Sequence, residues 1–253
     1  MPETFLILFA GGVLLAAAIS DPRQVTLLWL RLAGIIALSL TALSIFFLLR
    51  RDEPHTIAQA GGCAFTIAAI LGQLGFVQVA WRRTQRVCAA VAFVAAVVAG
   101  AAMLPRPAGP PPERAMVLLS LAGIAAMTGL VLMDMLLGHA YLTASRMSMT
   151  PFARLNLALG AVLVLRALMS SALALWLESR SPLPMFWGVY GLLVGTRWLI
   201  GLAVPAVFIY MAQDCIKRHS NQAATGILYV AGLLVMIGEL ISLTLVRDTG
   251  LPF

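Results

Sequence analysis

The sequence predicts an all-α integral membrane protein, a polytopic bundle of about eight transmembrane helices in a single membrane domain covering residues 1–253, with two four-helix units as one grouping of them. Three observations carry this reading. Hydrophobic residues make up 61% of the chain and charged ones 11%, a balance outside that of soluble globular proteins. The mean hydropathy is +0.97. The apolar residues fall in runs of about twenty, the length that crosses the hydrocarbon core as a helix. Barrel strands would be half as long and would alternate strictly, so helices are the reading that satisfies the backbone in lipid.

Taken in order, the expected spans are Phe5–Ser20, Val25–Leu49, Thr56–Trp81, Val87–Met103, Ala115–Tyr141, Pro151–Leu177, Pro184–Met211 and Ala223–Leu245. The first is short for a bilayer and is expected to thin the membrane locally or to lie partly buried. It resembles a signal peptide in length but carries Glu3 where a basic segment would stand, so it reads as a retained span. Start signals punctuate the later turns: Thr150-Pro151 places a capping hydroxyl before a first-turn proline, Ser181-Pro182 repeats this, and Asn221 precedes the last span. Gly11-Gly12 and Gly61-Gly62 are small residues suited to close helix contact, and Gln73 and Gln78 can bond across helices.

Lys and Arg in the turns set the orientation. Odd-numbered turns carry Arg23, Arg82, Arg83, Arg86, Arg146, Arg154, Lys217 and Arg218, against Arg50, Arg51, Arg106, Arg114, Arg180 and Arg247 on the other side. Eight against six places both termini outside under the positive-inside rule, and the polyproline-like PRPAGPPPER turn reads as an external loop. The turns WRRTQRV and DCIKRHS, after spans three and seven, suggest a parallel repeat of four helices, while the residue-level similarity is poor.

The net charge of +7 is spread over short turns, which suits anionic lipid headgroups; nucleic acid would need a clustered basic face that the chain lacks. Cys63, Cys88 and Cys215 are isolated, without CxxC or CxxCH. The single lysine, Lys217, lies in a turn, which excludes a retinal Schiff base inside a helix, and no GxxxxGK[ST], HExxH or GxSxG motif occurs. The sequence therefore offers no catalytic residue. The expected partners are the lipid bilayer and other membrane or peripheral subunits, and the expected location is a bacterial cytoplasmic (inner) membrane.

Function is best read from charges that interrupt apolar runs. A charge at the bilayer centre costs about 3 kcal/mol on insertion scales, so it faces a partner, a cavity or a ligand. Arg166 and Arg197 are expected roughly 20 Å from the odd-turn face, with Glu239 slightly deeper, on spans six, seven and eight. Two arginines against one carboxylate leave a positive charge over. Arg31 and Asp134, roughly 10 Å deep, could form a second pair. The plain alternative is that such pairs only lock helices together with bidentate hydrogen bonds. A guanidinium in a dry site could instead hold a carboxylate, a phosphate, a haem propionate or a quinone carbonyl. Asp134 and Glu239 are candidates for a proton path.

His139 and Tyr141 end the fifth span at the depth of a quinone headgroup, and His is suited to passing protons near neutral pH. An interfacial belt without a ligand, shared with Trp29, Trp81 and Tyr210, is the alternative. His139 and His219 share a face and are weak candidates for haem b ligands, with Met133, Met135, Met147 and Met149 crowding the same end; His55 lies opposite. Methionines in an apolar run are usually core filler. No other metal site is indicated.

Three functions follow. The first is a membrane subunit of a respiratory-type electron-transfer complex, binding quinone or haem through His139, Tyr141, Arg166 and Arg197. The second is a small-anion transporter or channel with Arg166 and Arg197 at the midplane, where Gly195-Thr196-Arg197 and Pro205 could loosen the seventh span. The third is a structural or assembly subunit. An eight-span protein of two four-helix bundles is similar in outline to the quinol-handling membrane anchors of molybdenum oxidoreductases, an architectural likeness that rests on no motif.

Overall fold

A chain immersed in lipid has to pair its own backbone N–H and C=O groups, and among the described residues every regular element is a helix. The computed structural model describes residues 1–51, 56–79, 81–104, 111–143, 148–180 and 184–252. His55, Arg106 with the rest of 105–110, Arg146, Met147 and Ser181-Pro182 lie outside the described residues.

The elements are α1 (Pro2–Ile19), α2 (Leu27–Leu49), α3 (Ile57–Gln78), α4 (Arg82–Ala102), α5 (Pro111–Thr143), α6 (Thr150–Arg180), α7 (Pro184–Trp198), a π turn (Leu199–Ala203), α8 (Val204–Lys217) and α9 (Asn221–Thr249). α7, the π turn and α8 run on as one, so the described residues contain eight helices long and apolar enough to cross a membrane. Local chemistry sets the ends. Thr26 accepts the Trp29 N–H, Thr56 and Gln59 form a reciprocal capping box, and Gly250 closes α9 in the left-handed conformation at φ 69°. Asn221 is the first residue of α9 rather than its cap; Ser220 stands at that position and makes no side-chain capping bond.

The helices close into two rings. α1, α2, α3 and α4 pack each against the next, with α4 returning to α1; α5, α6, α8 and α9 repeat that circuit. The two rings meet through α1 and α5, their first helices, which run in the same direction. α1 is the short span and, after α5, the most enclosed one, with Ile7, Leu8, Ala10, Val13, Leu14, Ala16 and Ala17 fully buried. It is therefore a core helix, which relieves its shortness.

Glycine makes this seam possible. A Cβ on Gly12 would overlap the Ala125 carbonyl, and one on Gly129 would overlap the Gly12 backbone. Without a hydrophobic drive between helices, such backbone approach is a main source of association in a bilayer. Gly11 lies on Ala96 and Gly62 on Ala99 in the same manner, whereas Gly61 faces open space. Gln73 donates to the Leu30 carbonyl across α2 and α3, while Gln78 is exposed. Trp29 is not part of an interfacial belt: it is buried, and its indole N–H donates to the Met133 carbonyl of α5. Trp81 and Tyr210 are exposed, as a belt requires, with Trp81 stacked on Phe76.

Gly12→Ala is expected to destabilise the protein by about 2–3 kcal/mol through overpacking, and Gly61→Ala to change it by less than about 0.5 kcal/mol. Thermal unfolding in one detergent, monitored by helical circular dichroism, compares the two. Equal behaviour would mean the α1–α5 crossing is not a close one.

Candidate functional site

The charges that interrupt spans six, seven and eight converge inside the second ring. Arg166 of α6, Arg197 of α7 and Glu239 of α9 are all fully buried. Arg166 Nη2 lies 2.8 Å from Glu239 Oε2, and Arg197 Nη2 lies 2.9 Å from Oε1. One carboxylate thus stands between two guanidinium groups, and the cluster carries a net positive charge.

The two arginines are held very differently. Arg166 donates from Nη1 to the Ser120 hydroxyl at 2.9 Å and to the Ser120 carbonyl at 3.3 Å, and from Nη2 to Glu239 at 2.8 Å and to the Ser242 hydroxyl at 2.6 Å. Arg197 makes one long hydrogen bond, from Nη1 to the Gly201 carbonyl at 3.4 Å. Its Nη2 is close enough to Glu239 for an ion pair, but the N–H directions miss the oxygen, and neither Nη2 nor Nε has a hydrogen-bond partner among the described residues. Arg166 is anchored. Arg197 is the cation with more donors to spare, since Arg166 lacks a partner only at Nε among the described residues.

A backbone device explains the geometry of Arg197. Pro205 has no N–H to give to the carbonyl four residues back, which is that of Gly201. The helix widens there into the π turn, in which the Val204 N–H reaches back five residues to Leu199. The released Gly201 carbonyl is the one that Arg197 bonds. Glycine lets the neighbours come close: a Cβ on Gly201 would lie 2.7 Å from Gly238 Cα and 2.8 Å from Arg197 Nη1. Gly123 of α5 gives the same clearance to the Arg166 side chain. Loosening of the seventh span near Gly195-Thr196-Arg197 and Pro205 thus takes the form of one π turn between them, a feature common at functional sites.

Arg31 and Asp134 do not form a pair. α2 and α5 touch little, Arg31 is exposed on the outer side of α2 near its start, and its long side chain suits the interface there. Asp134 is fully buried on α5, and neither carboxyl oxygen has a hydrogen-bond partner among the described residues. Glu239, by contrast, has a cation at each oxygen.

The interfacial candidates separate. Tyr141 is buried, donates to the Ser148 carbonyl and stacks on Phe152; His139, two residues earlier, is exposed. Their side chains do not converge. His139 also lies nineteen residues along α5 from Ser120, the partner of Arg166, a rise of about 28 Å. One headgroup cannot touch both. His219 is exposed in the turn after α8, with a positive φ of 59°. Among the described residues no three of His, Cys, Asp and Glu come together as a metal site.

Sequence reasoning missed Ser120 and Ser242, which complete the cage of Arg166, and Gly123, Gly201 and Gly238, which make room for both arginines. The signal was present in part: Ser120 is an isolated hydroxyl in a long apolar run, and Ser242 stands three residues after Glu239. The class so defined is an integral membrane protein of two four-helix rings with a buried cationic cluster in the second. No family model, curated protein or solved structure matches this chain.

The unequal holding of the arginines has a measurable consequence. Arg166→Met removes the cation hydrogen-bonded to Glu239 and leaves Oε2 of that buried carboxylate without its donor; it is expected to cost about 3–5 kcal/mol. Arg197→Met leaves a neutral, hydrogen-bonded Arg166–Glu239 pair and is expected to change stability by less than about 1 kcal/mol. Chemical unfolding in mixed micelles tests the difference; comparable losses would show that both arginines are structural.

Proposed function

We propose that the protein handles a small anion across the membrane, as a transporter or channel of a bacterial inner membrane, with Arg197 as the binding group. The observation that carries this reading is the buried Arg197 guanidinium, with Nε and Nη2 unengaged in hydrogen bonds beside a pair that is already neutral. A cation left over in a dry interior attracts an anion strongly, because little water screens it. The π turn and the Gly201–Gly238 contact supply a place where α8 can shift against α9 with little steric cost.

The first ring makes a scaffold role less economical. Spans one to four carry no charge at mid-depth and close on Ala37, Ala92, Ala96, Thr41 and Thr66, the two hydroxyls bonding carbonyls of their own helices. The same circuit of four helices therefore needs no ion pair at mid-depth, its buried Glu3 pairing with Arg51 at the end of the ring. Glu239 serves as counter-ion, and Asp134, closer to the odd-turn end and without a hydrogen-bond partner among the described residues, serves as proton carrier.

Purified protein in proteoliposomes is expected to pass chloride, nitrate or formate. Arg197→Gln should lower that flux at least tenfold while unfolding temperature holds. No flux above protein-free vesicles, or full flux from the variant, would sink the reading. Asp134→Asn should remove the response of flux to a proton gradient and leave anion exchange in place.

A quinone-binding, electron-transfer reading has one observation of its own. A groove of about 370 Å³ between α6 and α8 has apolar walls and a polar end of Asn156, Tyr210 and Gln213. Asn156 is buried and donates to Gln213 and to the Ile209 carbonyl, while its own carbonyl oxygen is unpartnered. Quinone retained by the purified protein and lost in Asn156→Leu would favour this reading over anion flux.

A further inference from the structure

We propose that a pocket at the odd-turn end of the molecule, where the two rings meet, binds the phosphate headgroup of an anionic membrane lipid. The pocket encloses about 330 Å³ between the end of α1, the start of α4 and the start of α6. Arg86 of α4 and Arg154 of α6 face it from opposite rings, with Asp21 and Gln24 in the turn after α1, and Ile19 and Leu155 forming apolar wall.

The two cations are available. Arg86 donates from Nε to the Ala18 carbonyl at 2.8 Å, which fixes the guanidinium at the pocket and leaves its terminal nitrogens free. Arg154 has no hydrogen bond or ion pair among the described residues. Asp21 does not neutralise either: its Oδ1 accepts the backbone N–H of Arg23 at 3.0 Å. Two guanidinium groups against one carboxylate leave a single positive charge, the complement of a phosphodiester.

Backbone dipoles add to this. Arg86 and Arg154 each stand four residues inside their helix, counted from Arg82 and Thr150. The positive ends of α4 and α6 therefore point to the same end of the bundle, and the cap position of α4, Trp81, offers no side-chain acceptor to its free N–H groups. Four residues place the guanidinium groups about 6 Å below the helix starts, at headgroup depth. The apolar wall beneath them suits an acyl chain. A free phosphate would use the cations and leave that wall unfilled. A lipid there would contact both rings at once and tie the α1–α5 seam at its open end.

Native mass spectrometry of the protein in a mild detergent, with added phosphatidylglycerol, phosphatidylcholine or inorganic phosphate, tests the proposal. Phosphatidylglycerol should be retained more tightly than phosphatidylcholine. Arg86→Gln and Arg154→Gln should each weaken it by about fivefold, and the double variant by about 25-fold. Asp21→Asn should strengthen retention, a gain that misfolding cannot mimic. Equal retention of the two lipids, or an undiminished double variant, would overturn the proposal. Displacement of phosphatidylglycerol by millimolar phosphate would make the free ion the ligand and overturn the lipid assignment.

Discussion

Glu239 sits where no water reaches, and two guanidinium groups meet it from two other helices. Removing a carboxylate or a guanidinium from water costs several kcal/mol each, and only close opposite charge with further hydrogen bonds offsets this. The second ring is arranged around that requirement. Ser120 comes from α5, Arg166 from α6, Arg197 from the seventh span, and Glu239 and Ser242 from α9, so each of the four spans contributes to one polar centre. Gly123, Gly201 and Gly238 are where backbone had to give way for the guanidinium groups. Most of the rest of the ring is apolar packing, with Asp134 and Asn156 as buried polar exceptions.

Comparison of the two rings separates architecture from chemistry. Both close in the same order, and they join through equivalent first helices at Gly12 and Gly129. The first ring fills its centre with alanine, threonine and isoleucine; the second puts three charges there. A helix circuit in lipid needs close backbone contact, and the first ring meets that need with no charge at mid-depth, its buried Glu3 pairing with Arg51 and the N-terminal ammonium at one end. The charges of the second are an addition to the architecture rather than a condition of it.

Most of the fold was legible in the sequence because length and hydropathy decide what crosses a bilayer. All eight spans agree with the helices to within a few residues, apart from a longer end to the seventh and an earlier start to the fourth. Azimuth was not legible. In lipid the outer face of a helix is as apolar as its inner face, so the pattern that tells inside from outside in a soluble helix is nearly absent. That is why Trp29 read as interfacial but lies inside, why His139 and Tyr141 read as one spot but diverge, and why Arg31 was offered to Asp134. Charges near mid-depth escaped the ambiguity, since lipid is no place for Arg166, Arg197 or Glu239 and inward is the direction left to them.

The difference between Arg166 and Arg197 has a cause that composition could not reveal. Both are arginines at similar depth on neighbouring spans. Arg166 lies on a regular helix opposite two serines, and both of its terminal nitrogens are engaged, with Nε alone unpartnered among the described residues. Arg197 lies four residues before a carbonyl that Pro205 has stripped of its donor, and it spends its one hydrogen bond there. Local rules of helix geometry are kept around the first and broken around the second. Proteins depart from those rules mainly where function requires it. A proline that widens a helix, a glycine in backbone contact with Gly238 and a cation with spare donors coincide within about two turns. Chance placement of each would be unremarkable; their coincidence beside the buried cluster is the ground for proposing Arg197 as the binding group and Arg166 as its support.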